Sequence, residues 1–345
     1  MSLEKWYGPS LWERAVPSNH RLRKILEEFS FLEVNEICEK YYVESHLGRT
    51  PIEPVKLFKA LIVQVLEGLS DRELEEKINS DLAVKWFLGM KLEEKAPDHS
   101  TFGEFRERLG EAGLKELFHH YVKVLVKKKY VTRKVTVVDS THILANVSKD
   151  RESPSNKGSG MTKWMKWKMD RAETMTEKEK IIEDIKCVAT DRDARWGYKT
   201  KEDIFYGYKQ HTGMDGESRL ITEVEVTGGN ASDHNHILSV MDQSAGSVVA
   251  DKAYDSYMNR YLIAAEGMVC KIIPKQRKGM MPTIEKEYRN LRRGIEAVFG
   301  SLKGNLGLKK TRYRGLQRVA IQSVLTVTAW NFLRATRLCG IGFAT

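Results

Sequence analysis

Two short runs of apolar, mostly β-branched residues each end in an aspartate: Val135-Thr136-Val137-Val138-Asp139 and Val248-Val249-Ala250-Asp251. Their length and composition read as buried strands. Apolar strands of this kind leave a central sheet at one edge, where open α/β folds place their ligands. An acid carried there by each of two neighbouring strands converges on one point. A divalent cation can offset the repulsion that would otherwise keep both carboxyls from ionising. Taken alone, either aspartate reads more simply as a turn or helix-capping residue. The pair is what points to a site, with Asp255 the local competitor for the second position.

Around these runs the pattern is that of an α/β domain. Segments 205–214 and 219–227 alternate like strands, and Gly213-Met214-Asp215-Gly216 suits the hairpin between them. A helical stretch at 234–243, a helix at 257–265, a strand at 269–273 closed by Pro274 and a long helix from about 284 complete the order. Three strands, helix, strand, helix, strand, helix describes a mixed sheet flanked by helices. The preceding 1–130 read as all-helical. Leu57, Leu61, Val65 and Leu66 recur at helical spacing after Pro54, Gly68 breaks the pattern, and Ser70-Asp71-Arg72-Glu73 forms a capping box. Helix, turn, helix outlines a DNA-reading unit and equally a bundle or dimer contact. Thr101 with Glu104 makes a second capping box. The expected divisions are thus 1–130, 131–310 and a C-terminal helix within 311–345 that packs on the core or a partner chain. An insert of loop composition occupies about 148–203.

The helix over 287–303 adds a third acid. At about 100° per residue, Arg292, Glu296 and Lys303 share a ~40° arc with Arg289 just beyond it. Leu291, Ile295, Val298, Phe299 and Leu302 fill the adjacent apolar arc. One glutamate among cations suits a metal-plus-phosphate site. Arg292 and Glu296 are also an ordinary i,i+4 salt-bridge pair.

Charge narrows the partner. The formal net charge of +10 is uneven: residues 271–345 carry +13 and the remaining 270 carry −3. A basic quarter on a near-neutral body suggests a polyanion, against the plainer reading of a solvated face. Trp164 and Trp167, interleaved with lysines, could stack on an unpaired base, although core packing explains the pair as simply. His142, His211, His234 and His236 read as structural or DNA-contacting, since residues two apart on a helix do not face each other. Cys38, Cys187, Cys270 and Cys339 have no zinc spacing and read as buried free thiols of a reducing cytoplasm. No signal-peptide pattern or membrane span is evident, which makes the cytoplasm the expected location.

Several blocks carry a resemblance. Val-Val-Asp139-Ser140-Thr141 and Ala-Asp251-Lys252-Ala253-Tyr254-Asp255 resemble the two aspartate blocks of bacterial insertion-sequence DDE transposases of the groups numbered four and five. Arg292, Glu296 and Lys303 fit the spacing of their Tyr-Arg-Glu-Lys signature, whereas Tyr288 is one residue out of register. Leu69-Ser70-Asp71-Arg72-Glu73-Leu74 and Pro97-Asp98-His99-Ser100-Thr101-Phe102 resemble the family's N-terminal helical domain. Gly207-Tyr208-Lys209 and Gly229-Asn230-Ala231-Ser232-Asp233 resemble motifs between its aspartates.

The resemblance implies a ribonuclease-H-like core in which Asp139, Asp251 and Glu296 hold two Mg²⁺ or Mn²⁺ ions for in-line attack on a phosphodiester. Arg289, Arg292, Lys303, Tyr288, Lys252, Lys209, Trp164 and Trp167 are the residues expected on DNA. Water would be the first nucleophile and a freed 3′-hydroxyl the second, without a covalent protein intermediate. The substrates would be double-stranded DNA, the terminal repeats and the target, engaged by a homodimer. Some relatives carry a large insert before the glutamate helix and pass through a DNA hairpin; here the insert lies between the first two strands instead. A metal-dependent nuclease that does not join ends, and an inactive or repurposed DNA-binding protein, are the rival readings.

Overall fold

The computed structural model describes residues 15–42, 51–147, 171–177, 179–180, 190–198, 204–275 and 286–339, with the backbone alone for 286–288. Trp164, Trp167 and Cys187 lie outside the described residues.

The strand runs form the sheet that their composition predicts. They are β1 (Thr136–Leu144), β2 (Arg195–Tyr198), β3 (Ile204–Asp215), β4 (Ile221–Gly228), β5 (Ser247–Ala250) and β6 (Val269–Ile272). The order is β2-β3-β1-β5-β6, and β4 takes the same edge of β3 as β2, further along it. β1, β3 and β4 are antiparallel neighbours, while β5 runs parallel to β1 and β6 parallel to β5. β2 lies in the insert, where no strand was expected. The hairpin turn also falls one step later than predicted. Gly213 is inside β3, where a Cβ would stand 1.7 Å from the Val240 carbonyl oxygen. The chain reverses instead through Gly216 to Arg219, with Asp215 accepting from the Ser218 amide (2.9 Å) and hydroxyl (2.7 Å).

Side-chain alternation along β1 and β5 sorts their residues onto two faces. Val138, Val248 and Ala250 pack with Ile237, Val240, Tyr254 and Ile263 from the segments α7 (Ile237–Val240), 252–254 and α8 (Tyr257–Ala265). Val137 and Val249 face the other way, onto Ile295, Val298 and Leu302 of α9 (Lys286–Gly304). Asp139 and Asp251 have the parity of Val137 and Val249. They therefore emerge on the side that α9 covers.

The N-terminal part is helical as expected: α1 (Arg21–Glu28), α2 (Glu33–Glu39), α3 (Pro54–Glu67), α4 (Asp71–Ser80), α5 (Leu82–Leu88) and α6 (His99–Lys127), the last kinked at Gly110. Pro54 opens α3 and Gly68 closes it at φ +71°, a left-handed cap for which glycine is suited. The Ser70/Glu73 capping box is present. The Thr101/Glu104 box is not, because Asp98 caps α6 three residues earlier by accepting from the Ser100 amide at 2.8 Å. Eight residues of α3 are buried, and the exposed residues of α4 include Arg72, Glu73, Glu76, Asn79 and Ser80. This helix pair is a packing unit of the bundle, and its outer face has no surplus of cations for a groove.

α10 (Leu316–Cys339) joins the bundle to the sheet, packing on α1, α3 and α6 and on β4 within the same chain. From Val319 to Phe332 every residue is buried. Helical part and sheet consequently share one apolar core. Asn331 clamps β4 to the helix, accepting from the Ile221 amide (2.9 Å) and donating to its carbonyl (2.7 Å). Of the cysteines, Cys38 is buried, with its thiol pushed up to about 12 by burial, whereas Cys339 is exposed, against expectation. No described helix is long and apolar enough to cross a membrane.

Candidate active site

A cleft of about 920 Å³ opens where β1, β5 and α9 meet. Asp139, Asp251, Glu296, Arg292, Lys303, Lys252 and Lys209, all singled out in the sequence, line it together with Asp233, Lys275, Ser140, His142, Tyr198 and Phe205. Arg289 is exposed and outside this lining. For Tyr288 only the backbone is described, on the first turn of α9.

Each acid is held differently. Asp139 sits in mid-strand, where its Oδ1 accepts from the Ser140 amide at 2.8 Å. Burial pushes its carboxyl up to about 7; the Ser140 bond and the Arg292 charge oppose that rise, and the Asp251 and Asp233 charges add to it. Asp251 caps the turn 252–254 through the Lys252 amide (2.6 Å). Glu296 is half-exposed, one turn beyond Arg292. The Arg292 guanidinium lies 3.2 Å from Asp251 Oδ2 and 3.4 Å from Glu296 Oε1, so the i,i+4 pair exists and extends to a second acid. Asp255 is not part of this group: it accepts from Arg260 (2.7 Å) and from the Lys275 amide (2.7 Å), which ties down the chain after β6.

Beside Asp139, Asp233 Oδ1 accepts from Ser140 Oγ (3.0 Å) and Lys209 Nζ (3.1 Å), and Lys209 also donates to the Ala231 carbonyl (2.8 Å). Beneath them, His211 is fully buried, stacked on His236 at 4.3 Å, with its Nε2 2.9 Å from Thr227 Oγ1. His236 Nδ1 lies 3.0 Å from Glu225. Of the two readings open for these histidines, structural or DNA-contacting, the full burial of His211 favours the first for that residue. His142 lines the cleft, stacked on Phe205 at 4.9 Å.

The donor set fits a hard divalent cation: acidic oxygens, partly buried, with a charge deficit that Arg292 meets in part. The three carboxylates are not drawn into a ligand shell. Among the described residues, the one trio of potential ligand atoms within 4.8 Å of one another is Glu75, Asp98 and His99 on the helical part. That trio is a capping cluster, in which Glu75 accepts from the His99 amide at 3.0 Å.

Comparison with known proteins settles the class. The family model described as Transposase DDE domain matches residues 131–332, and that described as Transposase domain (DUF772) matches residues 10–108. The chain belongs to the DDE transposase family. It is an insertion-sequence transposase, an enzyme of DNA cleavage and strand transfer that depends on a divalent metal. No solved structure matches it.

Two features of this transposase cleft escaped the sequence reading. Asp233 appeared there only within a loop motif, and its place beside Asp139 follows from the β3–β4 pairing that brings Lys209 and Ala231 together. Tyr198, 67% exposed on the rim, lies on the unexpected strand β2 and had no signal. Phe205, which is buried, adds a second aromatic ring to the cleft lining.

Proposed function

We propose that Asp139, Asp251 and Glu296 are the catalytic and metal-binding carboxylates of this transposase, on a ribonuclease-H-like core of the kind found in groups four and five. The observation that carries this reading is that acids from β1, β5 and α9, distant in sequence, line one cleft together with Arg292, Lys303, Lys252 and Lys209. Support for the core comes from the sheet, three antiparallel strands followed by two parallel ones.

Two Mg²⁺ or Mn²⁺ ions held by the three acids would supply activation of the attacking oxygen and charge stabilisation of the leaving one. The chain's own groups do the rest. Lys252, Lys303 and Arg292 bind the phosphates flanking the reacting bond, Arg292 as a fork and the lysines as point charges. Lys209, fixed by Ala231 and Asp233, holds a cation in place beside Asp139. Ser140 donates a hydrogen bond to Asp233, which helps hold that carboxylate beside Asp139. Tyr198 offers a ring face to a base at the rim. The substrates are the element's terminal repeats and target duplex, held by a homodimer in the bacterial cytoplasm. Light scattering with and without end DNA tests the assembly, and a monomer on paired ends would refute it.

The deciding experiment incubates labelled end DNA and a target plasmid with Mg²⁺ or Mn²⁺, comparing wild type with Glu296→Gln. Nicking and joined products from the wild type alone are expected. Equal cutting by both proteins would refute the role of Glu296.

A further inference from the structure

No acidic residue follows Glu296, whereas eight lysines and arginines do. Four of these, Lys309, Lys310, Arg312 and Arg314, stand exposed on the segment 305–315 between α9 and α10. The segment is neither helix nor strand, yet its backbone is fixed. Leu306, Leu308 and Thr311 are buried. The Leu144 amide donates to the Lys309 carbonyl (3.1 Å), and the Thr311 amide to the Leu144 carbonyl (2.8 Å). The Arg312 amide and the Thr311 hydroxyl both donate to Gln322 Oε1 at 3.0 Å, and the Gly315 and Leu316 amides to Asp191 and Asp193. Arg312, also exposed, is tied to the helical part by donating to the carbonyls of Gly68 and Leu69. The nearby acids thus serve backbone amides. Among the described residues, no carboxylate pairs with Lys309, Lys310 or Arg314, and the one bond to their side chains is from Arg314 Nε to the Asn146 carbonyl (3.4 Å).

Location gives this rim a meaning. Lys310 is bridged to Leu144, the last residue of β1, two residues past His142 in the cleft wall and five past Asp139. Five residues of strand span ~17 Å. Duplex DNA rises ~3.4 Å per base pair, so the same span is about five base pairs. We propose that Lys309, Lys310 and Arg314 form a fixed phosphate-binding rim, holding duplex DNA about five base pairs from the bond presented to the carboxylates. The inference rests on the cleft being the site of DNA chemistry. A duplex is the occupant favoured over an acidic protein because the rim is bridged to the end of the strand that carries Asp139 into a cleft also lined by Lys252, Lys275 and Lys303. With the backbone already ordered, binding immobilises side chains alone.

The test is equilibrium binding of full-length protein to a fluorescein-labelled 24-base-pair duplex of mixed sequence, without metal, from 50 to 200 mM salt. Lys309→Gln/Lys310→Gln is compared with the exposed pair Lys24→Gln/Lys91→Gln on the helical part and with Lys309→Arg/Lys310→Arg. Two lost phosphate contacts lower the slope of log K against log salt by about 1.8 and weaken binding at 0.1 M salt by roughly tenfold or more. The arginine pair keeps the wild-type slope, and the control pair stays within twofold. Equal losses in both glutamine pairs overturn the rim, as does competition by polyglutamate as strong as by unlabelled duplex at equal charge. If the wild type does not bind duplex at all, the reading of the cleft fails and not merely the rim.

Discussion

Arg292 stands where the cleft's acids most need positive charge, and that placement has a measurable cost for metal binding. Its guanidinium touches Asp251 at 3.2 Å and Glu296 at 3.4 Å. On the proposed assignment of the carboxylates, a divalent ion would take the same oxygens, so the two would compete. At an effective dielectric of ~20 each contact has a Coulomb ceiling of about 5 kcal/mol. The side chains are 34%, 23% and 55% exposed, however, and solvent-screened pairs of this kind are worth ~0.2–1 kcal/mol each. The competition therefore totals ~0.4–2 kcal/mol, a range of about two- to thirtyfold in affinity within which tenfold lies toward the upper end. Arg292→Gln, which removes the charge and draws the side chain back from the acids, should bind Mn²⁺ up to about tenfold more tightly than wild type in the absence of DNA. Electron paramagnetic resonance of free Mn²⁺ during titration reads this directly, with Asp251→Asn as the variant that loses binding. Unchanged or weaker Mn²⁺ binding by Arg292→Gln would refute the competition and make Arg292 an organiser of the acids. Activity should fall in the same variant, because the fork for phosphate is lost.

Two further outcomes concern the frame. Asn331→Ala leaves the Ile221 amide and carbonyl unpaired in a buried position and should cost ~2–4 kcal/mol in urea unfolding; a loss under ~0.5 kcal/mol would show that the clamp contributes little. Burial, aided by the neighbouring His236 charge, lowers His211 to about 4. A base whose folded pKa lies below its unfolded value of ~6.5 leaves stability untouched above that pH. It then costs stability as pH falls from about 6.5 to about 4, by up to ~3 kcal/mol. His211→Gln should flatten the melting temperature across that window, and an undiminished slope would refute the assignment.

The two apolar runs ending in acid were legible because a buried strand tolerates few residue types, and their common parity put both acids on one face. Helix 257–265 was readable for a similar reason, its caps being local. Other features depend on partners far along the chain. β2 exists because Gly197 and Gly229 let two backbones approach closely: a Cβ on Gly197 would lie 2.3 Å from the Gly229 carbonyl oxygen. No local pattern announces such a contact. α10 shows a different limit. Ser323, Thr326, Thr328 and Asn331 look like a polar face, yet all are buried. Thr326 and Thr328 donate back to Gln322 and Val324, each at 2.7 Å, and Asn331 reaches β4, so the helix is enclosed on every side. The two boundaries drawn in the sequence, at 130 and 310, follow composition, while the apolar core runs across both.

The uneven charge acquires a physical sense from the cleft. Four carboxylates, Asp139, Asp233, Asp251 and Glu296, face five cations, Lys209, Lys252, Lys275, Arg292 and Lys303, so the lining by itself is close to neutral. A neutral wall attracts a phosphate backbone weakly. Divalent charge at the three acids would make the same wall strongly positive and would release the Arg292 guanidinium toward phosphate. DNA, in turn, would draw that guanidinium away from the acids and ease the entry of metal. Each ligand thus favours the other through a single side chain, as linkage requires. Lys309, Lys310 and Arg314, by contrast, sit on a rim whose neighbouring acids are taken up by backbone amides. They can attract duplex whether or not metal is present, and first capture of DNA is accordingly expected there, with the carboxylates engaged afterwards.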